Sequence, residues 1–171
     1  KVEKIVNFNR EDLEKNIKEQ ILRQMPSIPK VFFDELLGET PTKKLKLASK
    51  LTNTEMVVVD DNQLLIVDKN ITELKLISGA TNTKVIVLNG FTVETNHLTI
   101  DYNSGSVNTN DGTINNNYGT VTNNNGTVTI NNNGGTVTNN NGIVTNNNNE
   151  GTVTNNNNGG TVTNNNGIIG E

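Results

Sequence analysis

The chain has 171 residues, no cysteine and one histidine, with 32% hydrophobic and only 4% aromatic residues. Without cysteine it forms no disulfide and no Cys/His metal cluster, and no stretch approaches the ~20 apolar residues of a membrane-spanning helix. So few aromatic residues indicate either partial disorder or a core of small β-branched side chains stacked in rows.

The net charge of −4 is unevenly distributed along the chain. Residues 1–50 contain 11 Lys/Arg and 8 Asp/Glu, whereas residues 51–171 contain 3 and 10. The last 69 residues have no basic side chain, so a surface built from them does not attract nucleic acid or an anionic membrane. We therefore expect no nucleic-acid partner and no membrane insertion.

Residues 1–50 predict a partly helical cap or attachment region. The apolar residues of a predicted helix over 11–25 have helical spacing: Leu13, Ile17, Ile21 and Met25. Pro26 ends this helix, and a second short helix is predicted over 31–37. The apolar stripe needs a cover. That cover is either the next region of the chain or an oligomerisation or attachment partner.

Residues 51–102 predict β-strands. Five apolar runs are separated by Asp-, Asn- and Gly-rich turns that leave no room for helices. The runs cover residues 56–59, 64–67, 74–77, 84–88 and 98–100. This spacing fits a sandwich, a meander or the first coils of a β-helix.

Residues 103–171 repeat the unit Gly-Thr-Val-Thr-Asn-Asn-Asn, with variants. The central Val or Ile recurs in steps of seven or nine residues, at positions 107, 114, 121, 128, 137, 144, 153, 162 and 169. Thr and Val favour extended backbone, whereas Asn and Gly accept the backbone conformations of tight corners. The two-residue insertions fall in or beside the Asn-Gly segments. The pattern therefore favours a β-solenoid over a disordered Asn-rich tail.

We predict an all-β fold, a β-solenoid (β-helix) with a small N-terminal helical cap. One Val or Ile per strand points inward to form an apolar column, Thr faces outward, and corner Asn amides form hydrogen-bonded ladders. Two units per coil give coils of 14, 16 or 18 residues. Three units per coil, with about 21 to 25 residues, and a triple-stranded helix of three chains fit the pattern as well, and the sequence does not choose among the three geometries.

These units resemble the Gly-, Asn- and Thr-rich repeats of β-helical bacterial surface proteins, adhesins and phage fibres. The resemblance implies a structural or adhesive stalk or fibre segment at an extracellular, cell-surface or virion location, with a glycan or cell-surface ligand. Open strand edges at a solenoid end also predict self-association, as a trimer or end to end. The Gly-Gly-x-Gly-x-Asp nonapeptide of calcium-binding β-rolls does not occur, so we expect no metal and no cofactor.

The Thr-x-Thr pairs are similar to the ice-binding faces of β-solenoid antifreeze proteins. This similarity implies an alternative function, the binding of ice or of another surface. The candidate outward rows are Thr120, Thr122, Thr127, Thr129, Thr136, Thr138, Thr152, Thr154, Thr161 and Thr163.

We expect no catalytic activity, because the chain has no cysteine and His97 lies in a turn without an evident nucleophile. A glycan-active enzyme is a second alternative, since β-helical polysaccharide lyases and hydrolases use clustered carboxylates. The acids that would cluster if residues 51–102 coil are Asp60, Asp61, Asp68, Glu73, Glu94 and Asp101. Solvated turn acids are the simpler interpretation.

Overall fold

A computed structural model describes residues 44–131, 135–148, 151–156 and 159–170. Within these ranges the chain forms sixteen β-strands and a single 3₁₀ turn at Ala48–Lys50. The helices predicted over residues 11–25 and 31–37 lie outside the described residues. Strands begin at Lys44, inside the region that the sequence assigns to the cap.

The strands form two eight-stranded parallel sheets, the odd sheet and the even sheet. The odd sheet consists of β1 Lys44–Leu47, β3 Gln63–Val67, β5 Lys84–Val87, β7 Thr99–Asn103, β9 Thr113–Asn117, β11 Thr127–Asn131, β13 Ile143–Asn147 and β15 Thr161–Asn165. The even sheet consists of β2 Met56–Val59, β4 Ile71–Leu76, β6 Thr92–Asn96, β8 Ser106–Asn110, β10 Thr120–Asn124, β12 Thr136–Asn140, β14 Thr152–Asn156 and β16 Ile168–Ile169.

The chain changes sheet at every strand, so each coil contains one strand of each sheet. Val107 pairs with Val121, and Val121 pairs with Val137, at separations of 14 and 16 residues. Val144 pairs with Val162, 18 residues further along. The predicted β-solenoid is therefore confirmed, and of the coil geometries that the sequence left open the structure has two units per coil. Each coil has two strands and not three, and consecutive coils of the same chain pair with each other, unlike the three-unit coil and the three-chain helix.

Each repeat strand directs its second and fifth residues into the interior. In β10 these are Val121 and Asn124, which are buried, while Thr122 and Asn123 are half-buried. A regular strand alternates with a period of two, so a spacing of three requires a bend. The bend lies at the third residue, where the pairing between β10 and β12 is interrupted. Each unit thus gives the interior one apolar and one amide side chain.

The core of the repeat is a column of β-branched side chains. All of its members have 0% exposed surface: Val93, Ile100, Val107, Ile114, Val121, Val128, Val137, Val144 and Val153. Val and Ile have restricted side-chain rotamers and lose little freedom in a strand, which suits them to such a narrow interior. This column explains how the chain forms a core with so few aromatic residues.

The repeat geometry begins earlier than the repeat sequence suggests. In β6, Val93 pairs with Val107 and Asn96 pairs with Asn110, in the register of the later coils. The sequence prediction missed both β6 and β1 because neither contains a long apolar run. The preceding strands, β2 to β5, stack on the same two sheets.

The first coils are apolar on both faces of the odd sheet. The inward residues of β3 and β5 join the core column: Leu65, Val67, Val85 and Val87. Their neighbours form a second group, here called the outer cluster: Leu64, Ile66, Ile86 and Leu88. Four partly buried side chains pack against this cluster: Leu45, Leu47, Phe91 and Tyr102. Strands with both faces buried read as continuous apolar runs, which accounts for Leu-Leu-Ile-Val and Val-Ile-Val.

Candidate functional site: side-chain ladders and outward rows

Two ladders of asparagine side chains run along the inside of the stack. In each ladder the Nδ2 of one Asn donates to the Oδ1 of the equivalent Asn in the next coil, at 2.7–2.9 Å. The even ladder is Asn96, Asn110, Asn124, Asn140 and Asn156. The odd ladder is Asn103, Asn117, Asn131, Asn147 and Asn165. The predicted Asn ladders are therefore confirmed.

The same amides also close the corners of the coils. Asn110 Nδ2 donates to the carbonyl oxygens of Gly112 and Thr127, each at 3.2 Å. At the ladder's first rung, Asn96 Oδ1 accepts the Leu98 N–H at 3.2 Å. Only a side chain with a donor and an acceptor on one short arm makes all of these bonds. Asn at the fifth position of the strand, the second of the three asparagines in the unit, thus joins neighbouring coils and fixes the chain reversal.

Further amide rows lie outside the interior. At the fourth position, Asn139 donates to Asn123 and Asn155 donates to Asn139, both at 2.9 Å. At the exposed position directly after the strand, Asn125 donates to Asp111 at 3.0 Å. These bonds point toward the N-terminal end of the stack, opposite to the inner ladders. Three consecutive asparagines therefore have three different environments.

Glycine at the corners permits close stacking of the coils. A Cβ atom added to Gly119 would overlap the carbonyl oxygen of Gly105, and one added to Gly126 would overlap that of Gly112. These backbone atoms cannot move aside independently, because neighbouring N–H groups bind them; Thr120 N–H, for example, donates to Gly105 O at 2.9 Å. The repeat needs glycine here for space between coils.

The structure divides the candidate threonine rows between two faces. The even sheet aligns three pairs in adjacent coils: Thr120/Thr122, Thr136/Thr138 and Thr152/Thr154. The odd sheet has two pairs, Thr127/Thr129 and Thr161/Thr163, with Ile143 between Thr127 and Thr161. The insertions lie in the corners, so Thr120 still pairs with Thr136 across a 16-residue coil. The ten residues therefore form one continuous array and one interrupted array.

The acids of the first coils are spread over several local contacts. Asp60 and Asp61 lie in the corner after β2, and Asp68 accepts hydrogen bonds from Ser49 at 2.6 and 2.7 Å. Glu94 accepts a bond from Asn108 at 2.7 Å. Among the residues that the structure describes, no group of three or more His, Asp or Glu side chains is arranged to hold a metal ion.

His97 directly follows β6 and lies between carboxylates of two neighbouring coils. Its Nε2 is 3.0 Å from Glu73 Oε1 and its Nδ1 is 3.9 Å from Asp111 Oδ2. All three side chains are one-third or more exposed. His97 therefore occupies the same corner position as Asp111 and Asn125 in later coils, with an imidazole in place of a carboxylate or an amide.

Asp101 is the buried acid of the described residues. Its Oδ2 accepts the Val85 N–H at 2.9 Å, and Lys84 Nζ lies 3.6 Å from Oδ1. Desolvation by burial raises the pKa of the Asp101 carboxyl above its ordinary value of 3.8, against the opposing effects of the Val85 N–H and Lys84. The carboxylate replaces a backbone acceptor where β5 and β7 diverge, because their pairing covers only Ile86–Tyr102 and Val87–Asn103.

In the part of the chain covered by the structure, no helix is long and apolar enough to cross a membrane. Comparison of the sequence with protein-family models and curated proteins, and of the structure with solved structures, found no match.

Proposed function

We propose that this protein is a structural β-solenoid module, a stiff stalk or fibre segment. The observation that supports this proposal most directly is the use of the repeat residues. In each unit the apolar residue fills the core, the second of the three asparagines joins the coils and the Gly allows them to approach. Such a unit serves stacking, and stacking yields length and stiffness.

The resemblance of the repeat to those of bacterial surface proteins and phage fibres supports a proposed location outside the cell, on a cell surface or on a virion. The outward face of the repeat supports this proposal because it presents uncharged Thr and Asn side chains in regular rows. Hydroxyl and amide groups bind the hydroxyl groups of glycans by hydrogen bonds. A glycan or another cell-surface ligand is therefore the partner that fits an adhesive role.

The C-terminal edge of the described stack supports end-to-end self-association. Ile168 and Ile169 on the edge strand β16 are 58% and 43% exposed. The neighbouring edge strand β15 is exposed at four of its five residues. Exposed strand edges with apolar side chains pair readily with further strands. We propose that another coil of this repeat, from a second copy, covers this edge.

Light scattering after size-exclusion chromatography, combined with small-angle X-ray scattering, tests the proposal. Seven steps of about 4.8 Å between eight strands give a stack about 34 Å long. End-to-end association predicts a mass above 18.6 kDa that rises with concentration, with growing length and constant cross-section. A mass and length that stay constant over the concentration range would contradict it.

A pair of matched substitutions locates the contact. Ile169→Lys places a charge at the inward position of the last strand, whereas Ile143→Lys places one on the side of the stack. The two isoleucines are equally exposed, at 43% and 44%. We expect only Ile169→Lys to reduce the mass. A trimer that survives Ile169→Lys but not Ile143→Lys would indicate lateral bundling instead.

One observation favours a second candidate function, the binding of ice or another ordered surface. The even sheet presents three aligned Thr-x-Thr pairs, with about 4.8 Å between coils and about 6.6 Å between the two columns. Thermal hysteresis measurement tests this candidate. Thr138→Lys, in the centre of the even array, should abolish any activity, and Thr129→Lys on the interrupted odd face should preserve it. Absence of hysteresis in the unmodified protein would eliminate ice as the ligand.

A further inference from the structure

The outer cluster is an apolar surface on the outer face of the odd sheet, the face that points away from the core column. Leu64, Ile66, Ile86 and Leu88 are only 6%, 2%, 0% and 1% exposed. Leu47, Ile66, Ile86 and Tyr102 lie on consecutive paired strands, so the row crosses four strands. Three strand spacings make this row about 14 Å wide.

The even sheet shows that coil geometry alone does not bury outward side chains. Met56 lies on the outer face of β2, at the level of the first coils, and is 47% exposed. On the odd sheet, the described apolar residues that pack against the outer cluster come from its own sheet and from Phe91 at a corner. Neighbours in the plane of a sheet flank one another but do not cover one another. The outer cluster therefore has a cover of its own.

The chemistry of the odd face changes where that cover ends. Tyr102 pairs with Asn116 in the next coil, and the row then continues through Ile130 and Asn146. Asn116 is half-buried, as is usual for the outward positions of the repeat. The covered area is therefore limited to β1, β3, β5 and the C-terminal end of β7, at Tyr102.

We propose that the segment before Lys44 covers the outer cluster with its apolar stripe, Leu13, Ile17, Ile21 and Met25. This segment has 43 residues and joins the sheet at β1, the edge strand of the covered area. Twelve residues of helix span about 18 Å, which matches the width of the row. The 18 residues between Met25 and Lys44 extend to about 60 Å, so the stripe reaches any part of the face.

The role of the N-terminal segment as a cover for the outer cluster does not depend on the function proposed above. It closes the side of the solenoid at its first coils and leaves the even face and the repeat free. A second copy of the chain is the competing occupant. It would need the same apolar pattern without the advantage of covalent attachment.

The absence of cysteine allows a thiol to report on the cover. Ile86→Cys places a thiol in the outer cluster, and Val85→Cys places one in the core column beside it. Each is combined with Ile17→Asp/Ile21→Asp on the stripe, or with Asn16→Asp/Gln20→Asp off it, which adds the same charge. Thiol labelling rates are measured on the full chain at several concentrations, with circular dichroism to check folding.

We expect the Ile86→Cys thiol to react slowly in the parent and off-stripe backgrounds and at least roughly tenfold faster with the stripe variant. The Val85→Cys thiol should remain protected in all three backgrounds. Equal rates for Ile86→Cys in all backgrounds would overturn the proposal. So would protection that disappears on dilution, because that result would identify a second copy as the cover. Leu88→Cys provides an independent position if Ile86→Cys does not fold.

Discussion

At the scale of the residue, position within the unit determines the role of each asparagine. Asn124 is fully buried and bonds to Asn110 and Asn140, while the adjacent Asn125 is exposed. The side chains are chemically identical, so the difference in their contribution comes from burial and bonding alone. This makes the repeat a test of how much a buried amide contributes to stability.

Asn124→Ala should destabilise the protein by roughly 2 kcal/mol or more, because it leaves a donor of Asn110 and an acceptor of Asn140 unpaired in the interior. Asn125→Ala is the matched control and should stay within about 0.5 kcal/mol of the parent. Urea unfolding followed by circular dichroism measures both. Equal midpoints for the two variants would show that the inner ladder contributes nothing beyond the exposed row.

Asp101 links stability to pH in a predictable direction. Because the pKa of its carboxyl is raised on folding, the folded state retains this proton at pH values where the unfolded chain has lost it. The contribution of Asp101 to stability therefore falls as pH rises from about 3.8 through the raised pKa, and is constant above it.

Asp101→Asn retains an acceptor for the Val85 N–H and removes the buried charge. Relative to the parent, its unfolding free energy should increase as pH rises from 3 to about 7. Asp101→Ala, which removes the acceptor as well, should be less stable than Asp101→Asn at every pH. Unfolding curves measured across this range provide the check. A difference between Asp101→Asn and the parent that does not change with pH would contradict the assigned cause.

At the scale of the element, the corners differ in why they need glycine. Gly126 has its Cβ position blocked by the Gly112 carbonyl, whereas Gly79 has open space but a φ of 81°. Gly126→Ala should cost about 3 kcal/mol, as an overpacked site does. Gly79→Ala should cost only about 1 kcal/mol, from the left-handed backbone. Thermal unfolding ranks them, and the reverse order would refute the close-approach argument.

The sequence predicts the elements of the repeat well because each unit has one central Val or Ile, flanking Thr residues and one Asn-Gly corner. The inward Val, the outward Thr and the Asn ladders all follow from that pattern. Which of three consecutive asparagines is buried does not follow, since it depends on the bend after Val121. The distribution of the threonine rows over two faces is likewise fixed only by the coil length.

Most of the earlier strands follow from their apolar runs, but β6 is harder to predict because its signal lies in spacing. Val93 and Asn96 repeat the inward pair of Val107 and Asn110, but Leu98 occupies the corner position that glycine takes later. A search for an apolar residue followed three positions later by Asn would have found β6. The sequence also indicates the outer cluster, because the apolar runs of β3 and β5 do not alternate with polar residues.

At the scale of the whole molecule, each described coil pairs only with the coil before it and the coil after it. Stability is then approximately a sum over coils and the interfaces between them. The strand register between neighbouring coils must be maintained, because every coil presents the same order of inward Val, inward Asn and corner Gly to its neighbour. Length itself is free to vary.

Deletion of one complete coil should therefore be tolerated. Removal of residues Gly112–Asn125 joins Asp111 to Gly126 and brings β11 onto β7, so that Val128 takes the place of Ile114 against Ile100. Removal of only Val121–Asn123 deletes the inward apolar residue of β10 and shortens the separation between successive asparagines in both ladders.

We expect the 14-residue deletion to retain a β-sheet spectrum and cooperative unfolding, with a moderately lower midpoint. The three-residue deletion should lower the midpoint further, despite the smaller loss of chain. If the smaller deletion is the milder one, the coils do not stack through a shared register.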